Sequence, residues 1–262
     1  MKDGGWKAGA YLTGERWIER CYTRVRAIYS GVWLGLMDRR TLHETTERQF
    51  IAWTSYSTVD HNTSGLHDWE EKVLAEHFGS CRSLLVGAAG GGREMFALSR
   101  RGIAVDGFEC CGRLAECARG ILAEAGVDGR VLTARPDEVP EGLGVYDGAI
   151  VGWSAYMHIP GRGSRVAFLK RCRDHVRPGG PILLSFFTRP ADGREFRWIY
   201  AVASAVRRLR RCSDKVELGD KLMGTFDHFF TREEVEGELE EGGFRLEFYA
   251  ERPYGHAVGR AL

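Results

Sequence analysis

The stretch "LLVGAAGGGREMFALSRRGIAVDGFE", residues 84–109, decides the fold. It contains an apolar run, a cluster of small residues, a helical pattern, a second apolar run and a final acid, Glu109. Glycines between a strand and a helix let the backbone approach a ligand closely. Glu109 lies 19 residues after Gly90, at the end of the second strand, where a carboxylate can accept both hydroxyls of a ribose. The stretch therefore predicts a strand–helix–strand unit that holds a nucleotide-like ligand.

From Ser83 onward, strand and helix patterns alternate, which is typical of a parallel sheet covered on both faces. Further strands are predicted at "RVLTA", "YDGAIVGW" and "PILLSFF", and helices over residues 93–101, 113–125 and 165–176. The stretches "RLEFYAE" and "HAVGRA" indicate a final hairpin at the edge of the sheet. Residues 1–78 differ from the rest, because their pattern is mainly helical and rich in aromatic side chains.

The composition argues against several classes of protein. The chain has 262 residues and a net charge of +1, from 37 basic and 36 acidic residues, whereas a general nucleic-acid binder usually shows a clear basic excess. No apolar run approaches the roughly 18 residues that a membrane span needs, and the N-terminus lacks the apolar core of a signal peptide. The seven cysteines are an odd number without a CxxC pair. We therefore expect reduced thiols in a cytoplasmic protein, with neither a disulfide framework nor a metal site.

Two ligand classes use such a glycine turn, dinucleotides and S-adenosylmethionine. The spacing of Gly87, Gly90 and Gly92 does not fit the GxGxxG pattern of dinucleotide-binding proteins. Residues 83–262 instead resemble a class I S-adenosylmethionine-dependent methyltransferase of the small-molecule type. The resemblance rests on residues 84–109 and on the stretches "VYDGAIVGWSAYMHIP", "VRPGGPILLSFF" and "DHFFTREEVEGELEEGGFRLEFY".

The resemblance implies a Rossmann-like α/β fold, with a seven-stranded, mostly parallel sheet and helices on both faces. We expect a helical N-terminal cap over residues 1–78 and the methyltransferase domain over residues 79–262, with a lid inserted after the fifth strand at about residues 188–229. The lid contains "FRWIYAVASAVRRLRR", a helix whose apolar side is expected to cover the pocket. Its basic run, at residues 207–211, is either the solvated face of that helix or a surface for an acidic substrate or partner.

The resemblance also implies S-adenosylmethionine as the cofactor. Its candidate binding residues are Gly87, Ala88, Gly90, Gly92, Glu109, Asp137, Gly152 and Trp153. Trp153 follows the fourth strand and is expected at the methionine end, whereas Asp137 is either an adenine contact or a solvated loop acid.

Val86 departs from the family pattern, which is acid-x-Gly-x-Gly-x-Gly. It stands where the family has an acid that helps to hold the methionine amino group. Backbone carbonyls near Gly87 or Gly152, or an acid or hydroxyl from the cap, are the candidate replacements.

Methyl transfer from a sulfonium requires alignment of the reacting atoms, exclusion of water and, for a protonated nucleophile, a base. His158, after the fourth strand, is the candidate general base because its ordinary pKa lies near neutral pH. The alternative is that His158 only begins a helix and packs there. Tyr156 is expected either to position the substrate or to pack.

A polar stretch of the cap, "TSYSTVDHNTSGLHDWEE", contains Tyr56, Asp60, His61 and Asn62, which are expected to fold over the cofactor or to bind substrate. Three of them, Tyr56, Asp60 and His61, are the candidate substrate-binding residues. The alternative is a turn with an N-cap, held by local hydrogen bonds. His228, just before the last helix, is a fourth candidate, which would reach the pocket from the lid.

The function that we expect is transfer of a methyl group to an oxygen or nitrogen of a small organic molecule. The expected partner is that methyl acceptor, with no nucleic acid and no membrane. One alternative is a methyltransferase-like protein that binds a ligand or partner but has lost the chemistry. Another is an NAD(P)-dependent oxidoreductase, although the chain has no recognisable Tyr-x-x-x-Lys pair.

Overall fold

A seven-stranded sheet forms the centre of the computed structural model, which describes residues 5–262. Along these residues the strands are β1 (Ser83–Gly87), β2 (Ala104–Glu109), β3 (Val131–Thr133), β4 (Gly148–Val151), β5 (Pro181–Phe186), β6 (Asp220–Leu222), β7 (Phe226–His228), β8 (Phe244–Ala250) and β9 (Gly255–Ala261). The order in the sheet is β3-β2-β1-β4-β5-β9-β8, and β6 pairs with β7 in a separate two-stranded sheet. Strands β1 to β5 run parallel, whereas β9 is antiparallel to both β5 and β8.

Helices surround this sheet. Over residues 5–262 they are α1 (Gly5–Leu36), α2 (Arg39–Ala52), α3 (Val59–Thr63), α4 (Asp68–His77), α5 (Arg93–Ser99), α6 (Gly112–Glu124), α7 (Arg162–Asp174), α8 (Arg194–Leu209) and α9 (Arg232–Glu241), with short 3₁₀ turns at Thr54–Ser57 and Ala155–His158. Thr231 caps α9 and forms a reciprocal capping box with Glu234. The segment between β5 and α9 holds α8 and the β6–β7 pair.

The side chains of β1 alternate between two apolar cores, one on each face of the sheet. Leu84 and Val86 pack with residues of α4, α5 and α6, whereas Leu85 packs with residues of α7 and α9. Because both faces are covered, β1, β4 and β5 are apolar along nearly their whole length. The carboxyl ends of β1, β2 and β4 are left free to form a ligand site.

A third core joins α1 to α8 rather than to the sheet. The two helices approach closely because α1 has glycines at the contact: a Cβ on Gly31 would lie 2.8 Å from the Cβ of Val202, and one on Gly35 would lie 2.5 Å from that of Val206. The prediction that the apolar face of α8 covers the pocket is therefore wrong. That face covers α1, which sequence patterns within α8 alone cannot reveal.

Arg207, in the basic run of α8, is buried and binds the end of α1. Its guanidinium donates to the carbonyl oxygen of Leu34 at 3.1 Å and to that of Met37 at 3.2 Å. Arg210 donates to the carbonyl oxygen of Gly35 at 3.1 Å. The carbonyls of Leu34 and Gly35 belong to the last turn of α1, and that of Met37 follows it directly, where helix carbonyls lack partners within the helix. The basic run thus caps α1, a role that neither sequence interpretation included.

The predicted fold class is confirmed, and the differences concern element bounds. Helix α7 begins three residues earlier than predicted, at Arg162. Strand β4 is shorter than the apolar run suggests, because Tyr146 forms only an isolated bridge to Val176. Among the helices that the structure describes, none has the length and apolar character for a membrane crossing.

Candidate functional site

A cavity opens at the carboxyl ends of β1, β2 and β4, the edge at which open parallel sheets bind ligands. Together with its open mouth, the cavity measures about 1000 Å³. One wall comes from the loops after these strands, and the facing wall comes from α2 and residues 53–62. The predicted site residues that line it are Tyr56, His61, Ala88, Gly90, Glu109, Asp137, Trp153 and His158.

The glycine turn after β1 presents bare backbone to this cavity. Ala88 has φ +50° and Gly90 has φ +55°, in the left-handed region that glycine adopts without steric cost. A Cβ on Gly90 would meet nothing within 4 Å, so the space beside it is part of the cavity. A ligand can therefore lie against the main chain at this point.

Three of the predicted cofactor-binding glycines lie behind the turn and do not line the cavity. A Cβ on Gly87 would lie 2.8 Å from the ring of Phe108, and one on Gly92 would lie 3.2 Å from the Cβ of Ala118. Gly152 packs against the carbonyl oxygen of Ala88 and donates its N–H to Gly87 at 2.7 Å. These glycines shape the turn by allowing close packing, while Ala88 and Gly90 form its surface.

Glu109 connects the end of β2 to the turn. Its carboxylate accepts the N–H of Gly90 at 2.8 Å and that of Cys111 at 2.8 Å, and the residue is only 5% exposed. Burial raises the pKa of Glu109, although the hydrogen bonds from Cys111 and Gly90 oppose the shift. An ionised carboxylate has about four acceptor positions, so both oxygens keep capacity for hydroxyl donors in the cavity.

Residues 53–62 close over the glycine turn. The side chain of Asn62 is buried and donates to the carbonyl oxygens of Tyr56 and Thr58, both at 2.9 Å. A Cβ on Gly91 would lie 2.5 Å from the carbonyl oxygen of Tyr56 and equally close to the amide of Asn62. The absent side chain of Gly91 is therefore what allows the two walls to meet.

Tyr56 and His61 bring aromatic side chains to the cavity, whereas Asp60 does not reach it. The rings of Tyr56 and His61 meet edge to face with centroids 5.2 Å apart. Burial raises the pKa of Tyr56 and lowers that of His61, which favours the neutral form of each. Asp60 is exposed in the first turn of α3 and lies outside the lining.

Asp137 lines the far end of the cavity and pairs with a histidine of α2. The Nε2 atom of His43 lies 2.9 Å from the Asp137 carboxylate. Asp137 has φ +63° in the loop that follows β3. His43 could not be predicted at this place, because its approach depends on how α2 packs across the sheet edge.

His158 stands at the end of the 3₁₀ turn after β4, with its ring at the cavity. Its Nδ1 lies 2.8 Å from the carbonyl oxygen of Phe226 and 3.3 Å from the carboxylate of Asp227. A carbonyl can only accept, so Nδ1 carries the proton and the neutral ring has its lone pair on Nε2. The arrangement leaves Nε2 as the basic atom of a histidine that lines the cavity.

Tyr156 and His228 lie outside the cavity, in a buried ionic network. Tyr156 is fully buried and donates its hydroxyl to Glu238 at 2.6 Å, and burial and the charge of Glu238 raise its pKa well above its ordinary value. His228 lies 2.7 Å from Asp220 through Nδ1. The surroundings of Tyr156 favour the packing interpretation. His228 does not reach the cavity, because its ring is buried between Asp220 and Phe230.

Three potential metal ligands occur within this network: Glu217, Asp220 and His228 have ligand atoms within 4.8 Å of one another. The guanidinium of Arg165 donates to Glu217 at 2.7 Å and to Glu238 at 2.6 Å. Arg165 thus pairs with Glu217, while Asp220 lies against Nδ1 of His228.

A second buried cluster, formed by Arg93, Glu70 and Glu94, lies beside the glycine turn. Arg93 binds both oxygens of Glu70, at 2.7 and 2.8 Å, and one oxygen of Glu94 at 2.7 Å. Burial opposes the charge of Arg93, but these hydrogen bonds raise its pKa above its ordinary value. Arg93, Glu70 and Glu94 were not among the predicted site residues. The available signal was an Arg-Glu pair that directly follows the glycine turn.

No protein-family model matches the chain, and no curated protein matches it either. Solved structures do match its fold. A methyltransferase from Methanosarcina mazei superposes with a TM-score of 0.58 at 16% identity, over 76% of this chain and 99% of that one.

Two further solved structures have named substrates. One is the 1,6-didemethyltoxoflavin-N1-methyltransferase of Burkholderia thailandensis, crystallised with S-adenosylhomocysteine (TM-score 0.58, 16% identity, 86% of this chain and 91% of that one). The other is an amino pentose methyltransferase of calicheamicin biosynthesis from Micromonospora echinaspora (TM-score 0.54, 16% identity, 74% and 89%). The chain therefore has the Rossmann-like fold of the class I S-adenosylmethionine-dependent methyltransferases.

Proposed function

We propose that the protein transfers a methyl group from S-adenosylmethionine to an oxygen or nitrogen of a small organic molecule. The observation that carries the proposal is the pairing of Glu109 with Gly90: a buried carboxylate is fixed against bare backbone at the sheet edge where ligands bind. The fold of the chain supports the same assignment.

The residues of the cavity fit this cofactor. Glu109 would accept the ribose hydroxyls, since its two hydrogen bonds to backbone amides leave acceptor positions free. Ala88 and Gly90 would lie against the nucleoside, Asp137 near the adenine and Trp153 at the methionine end. When bound, the cofactor supplies an electrophilic methyl group on a sulfonium.

The chain contributes alignment, exclusion of water and a base. Residues 53–62 and α2 cover the cavity opposite the glycine turn, which restricts solvent. His158 would accept the proton of an O–H or N–H nucleophile on Nε2, and the buried Asp227 would stabilise the resulting imidazolium through Nδ1. The nucleophile thereby gains a methyl group as it loses a proton.

The acceptor site is proposed on the cap side of the cavity. Phe50 lies in edge-to-face contact with both Tyr56 and His158, at centroid distances of 5.5 and 5.4 Å. Such a surface suits an acceptor with an apolar or ring-shaped face. The toxoflavin and amino pentose enzymes act on ring compounds, which supports the proposal of a small cyclic acceptor.

Titration calorimetry with S-adenosylmethionine, S-adenosylhomocysteine, NADH and NADPH tests the proposal. We expect the intact protein to bind only the adenosyl ligands, and Glu109→Ala to weaken them by about 10- to 100-fold, because it removes a charged hydrogen-bond acceptor. Glu116→Ala, at an exposed position of α6, is the control and should bind like the intact protein.

The alternatives give different results. No adenosyl binding by the intact protein would overturn the proposal, and binding of NADH or NADPH in its place would support an oxidoreductase. Adenosyl binding without methylation of any cyclic amine or alcohol in an acceptor screen would favour a non-catalytic binder. Where an acceptor is found, His158→Gln should bind S-adenosylhomocysteine normally but turn over slowly.

A further inference from the structure

The cluster of Arg93, Glu70 and Glu94 carries an unbalanced negative charge. Two carboxylates share one guanidinium, and no other lysine or arginine within residues 21–262 forms an ion pair with either of them. Arg93, Glu70 and Glu94 are each at most 5% exposed. A buried charge without a partner is costly, so the cluster would be stabilised by a cation from outside the chain.

Arg93 and Glu94 line the cavity, whereas Glu70 does not. Glu94 is therefore the carboxylate of the cluster that faces the cavity. Its Oε1 accepts from Arg93 at 2.7 Å and from the backbone N–H of Trp153 at 3.3 Å. No hydrogen bond from the described part of the chain reaches its second oxygen, Oε2. A carboxylate oxygen without a partner thus lies at the end of the cavity where Trp153 follows β4.

The other candidates for a cation-binding group at this end are occupied or distant. Val86 is fully buried in the core beneath α5 and cannot contribute an acceptor. The carbonyl oxygen of Gly87 already accepts the N–H of Gly152. His61, which also faces Arg93 and Glu94, has a pKa lowered by burial, so it does not supply the missing positive charge.

We propose that Oε2 of Glu94 binds the α-ammonium group of the S-adenosylmethionine cofactor and so replaces the acid that Val86 displaces. Arg93 and Glu70 are positioning residues, because the guanidinium holds Oε1 and fixes the orientation of the carboxylate. The inference rests on the proposed function. It adds that recognition of the amino group comes from the first turn of α5 rather than from the end of β1.

The first test uses the intact protein and three ligands in titration calorimetry. They are S-adenosylhomocysteine, its analogue in which hydrogen replaces the amino group, and 5′-deoxy-5′-methylthioadenosine, which lacks the amino-acid portion. We expect the deaminated analogue to bind about 10- to 100-fold more weakly than S-adenosylhomocysteine, since one hydrogen bond between charged groups is lost.

The second test uses Glu94→Gln, which keeps an acceptor for Arg93 and Trp153 but removes the charge. We expect the variant to bind both S-adenosylhomocysteine and its deaminated analogue with affinities within about threefold of each other. Its affinity for methylthioadenosine should equal that of the intact protein, which also shows that the variant is folded. Glu71→Gln is the control, because Glu71 lies in α4 and pairs with Arg101 outside the cavity. This variant should keep the full preference for S-adenosylhomocysteine over its deaminated analogue.

The two proposals can fail separately. If the intact protein binds none of the three ligands, the proposed function fails and the role of Glu94 with it. Equal affinity of the intact protein for S-adenosylhomocysteine and its deaminated analogue would overturn only the role of Glu94. A Glu94→Gln variant that loses affinity for methylthioadenosine as strongly as for S-adenosylhomocysteine would also overturn the role of Glu94. If that variant does not fold, the test is the preference of the intact protein for S-adenosylhomocysteine over its deaminated analogue.

Discussion

Two buried glutamates of this protein, Glu109 and Glu238, differ in what binds them and in where they lie. Glu109 is held by two backbone amides and faces the cavity. Glu238, also buried, is held by the side chains of Arg165 and Tyr156 and does not line that cavity. Sequence could predict Glu109, because its distance from the glycine turn is local. It could not distinguish Tyr156 from a site residue, since the partner Glu238 lies 82 residues away.

The charge of Glu234 makes a contribution to the stability of the folded protein that can be measured. Burial opposes its ionisation, but the nearby His228 ring, with Nε2 3.8 Å from the carboxylate, and hydrogen bonds from the amide of Thr231 and from Arg189 lower its pKa from 4.5 to about 2. The native state therefore binds fewer protons than the unfolded state between about pH 2 and pH 4.5. The stabilisation is complete above pH 4.5 and is lost as the pH falls towards 2.

We expect Glu234→Gln to reduce the free energy of unfolding at pH 7 by about 1–2 kcal/mol, allowing for the partial exposure of the side chain. The difference in free energy of unfolding between the variant and the intact protein should shrink from pH 5 to pH 2.5, as measured by urea unfolding followed by circular dichroism. Because glutamine preserves the capping box, this difference in free energy measures the contribution of the charge of Glu234. Glu240→Gln, exposed on the same helix, is the control, and a difference that stays constant with pH would contradict the assignment.

At the scale of elements, sequence periodicity predicted the strands and helices of the sheet because each pattern is set by its own residues. The cap was harder to place. Its helical pattern showed that helices form, but the contact of Asn62 with Gly91 spans 29 positions of the chain and depends on packing. The same limit applies to His43 and Asp137, and to the apolar face of α8.

Gly91→Ala tests whether the cap segment must lie against the glycine turn. The added Cβ would lie 2.5 Å from the carbonyl oxygen of Tyr56, so the segment 53–62 must move away. We expect weaker binding of S-adenosylhomocysteine by at least about tenfold and faster proteolysis within residues 53–62. Gly120→Ala, in α6 with open space around it, should instead stabilise the protein by about 0.5–1 kcal/mol. Unchanged affinity and protease resistance in Gly91→Ala would show that the two walls need not touch.

At the scale of the whole molecule, α1 is attached chiefly through α8 and not through the sheet. Three features hold α1 against α8: close packing at Gly31 and Gly35, the third apolar core, and the capping of α1 by Arg207 and Arg210. The N-terminal part and the segment after β5 therefore support each other, although they are far apart in sequence. Disturbing one should loosen the other.

Arg207→Ala tests this coupling. The variant leaves the carbonyls of Leu34 and Met37 without a donor, and we expect a loss of about 1–3 kcal/mol in the free energy of unfolding. Arg208→Ala, at the exposed neighbouring position, should change it by less than about 0.5 kcal/mol. Urea unfolding gives both values, and limited proteolysis should cut α1 sooner only in Arg207→Ala. Equal effects of the two substitutions would mean that capping of α1 contributes nothing.

The two walls of the cavity come from separate stretches of the gene product. Residues 88–158 carry the glycine turn, Glu109 and His158, while residues 43–62 carry the aromatic and polar side chains that face them. Under the proposed function, mutations in the shorter stretch can alter which acceptor fits without touching the cofactor's binding residues. Divergence among descendants of this protein would then be concentrated in some twenty positions, and exchange of that stretch between them would transfer acceptor preference as a unit.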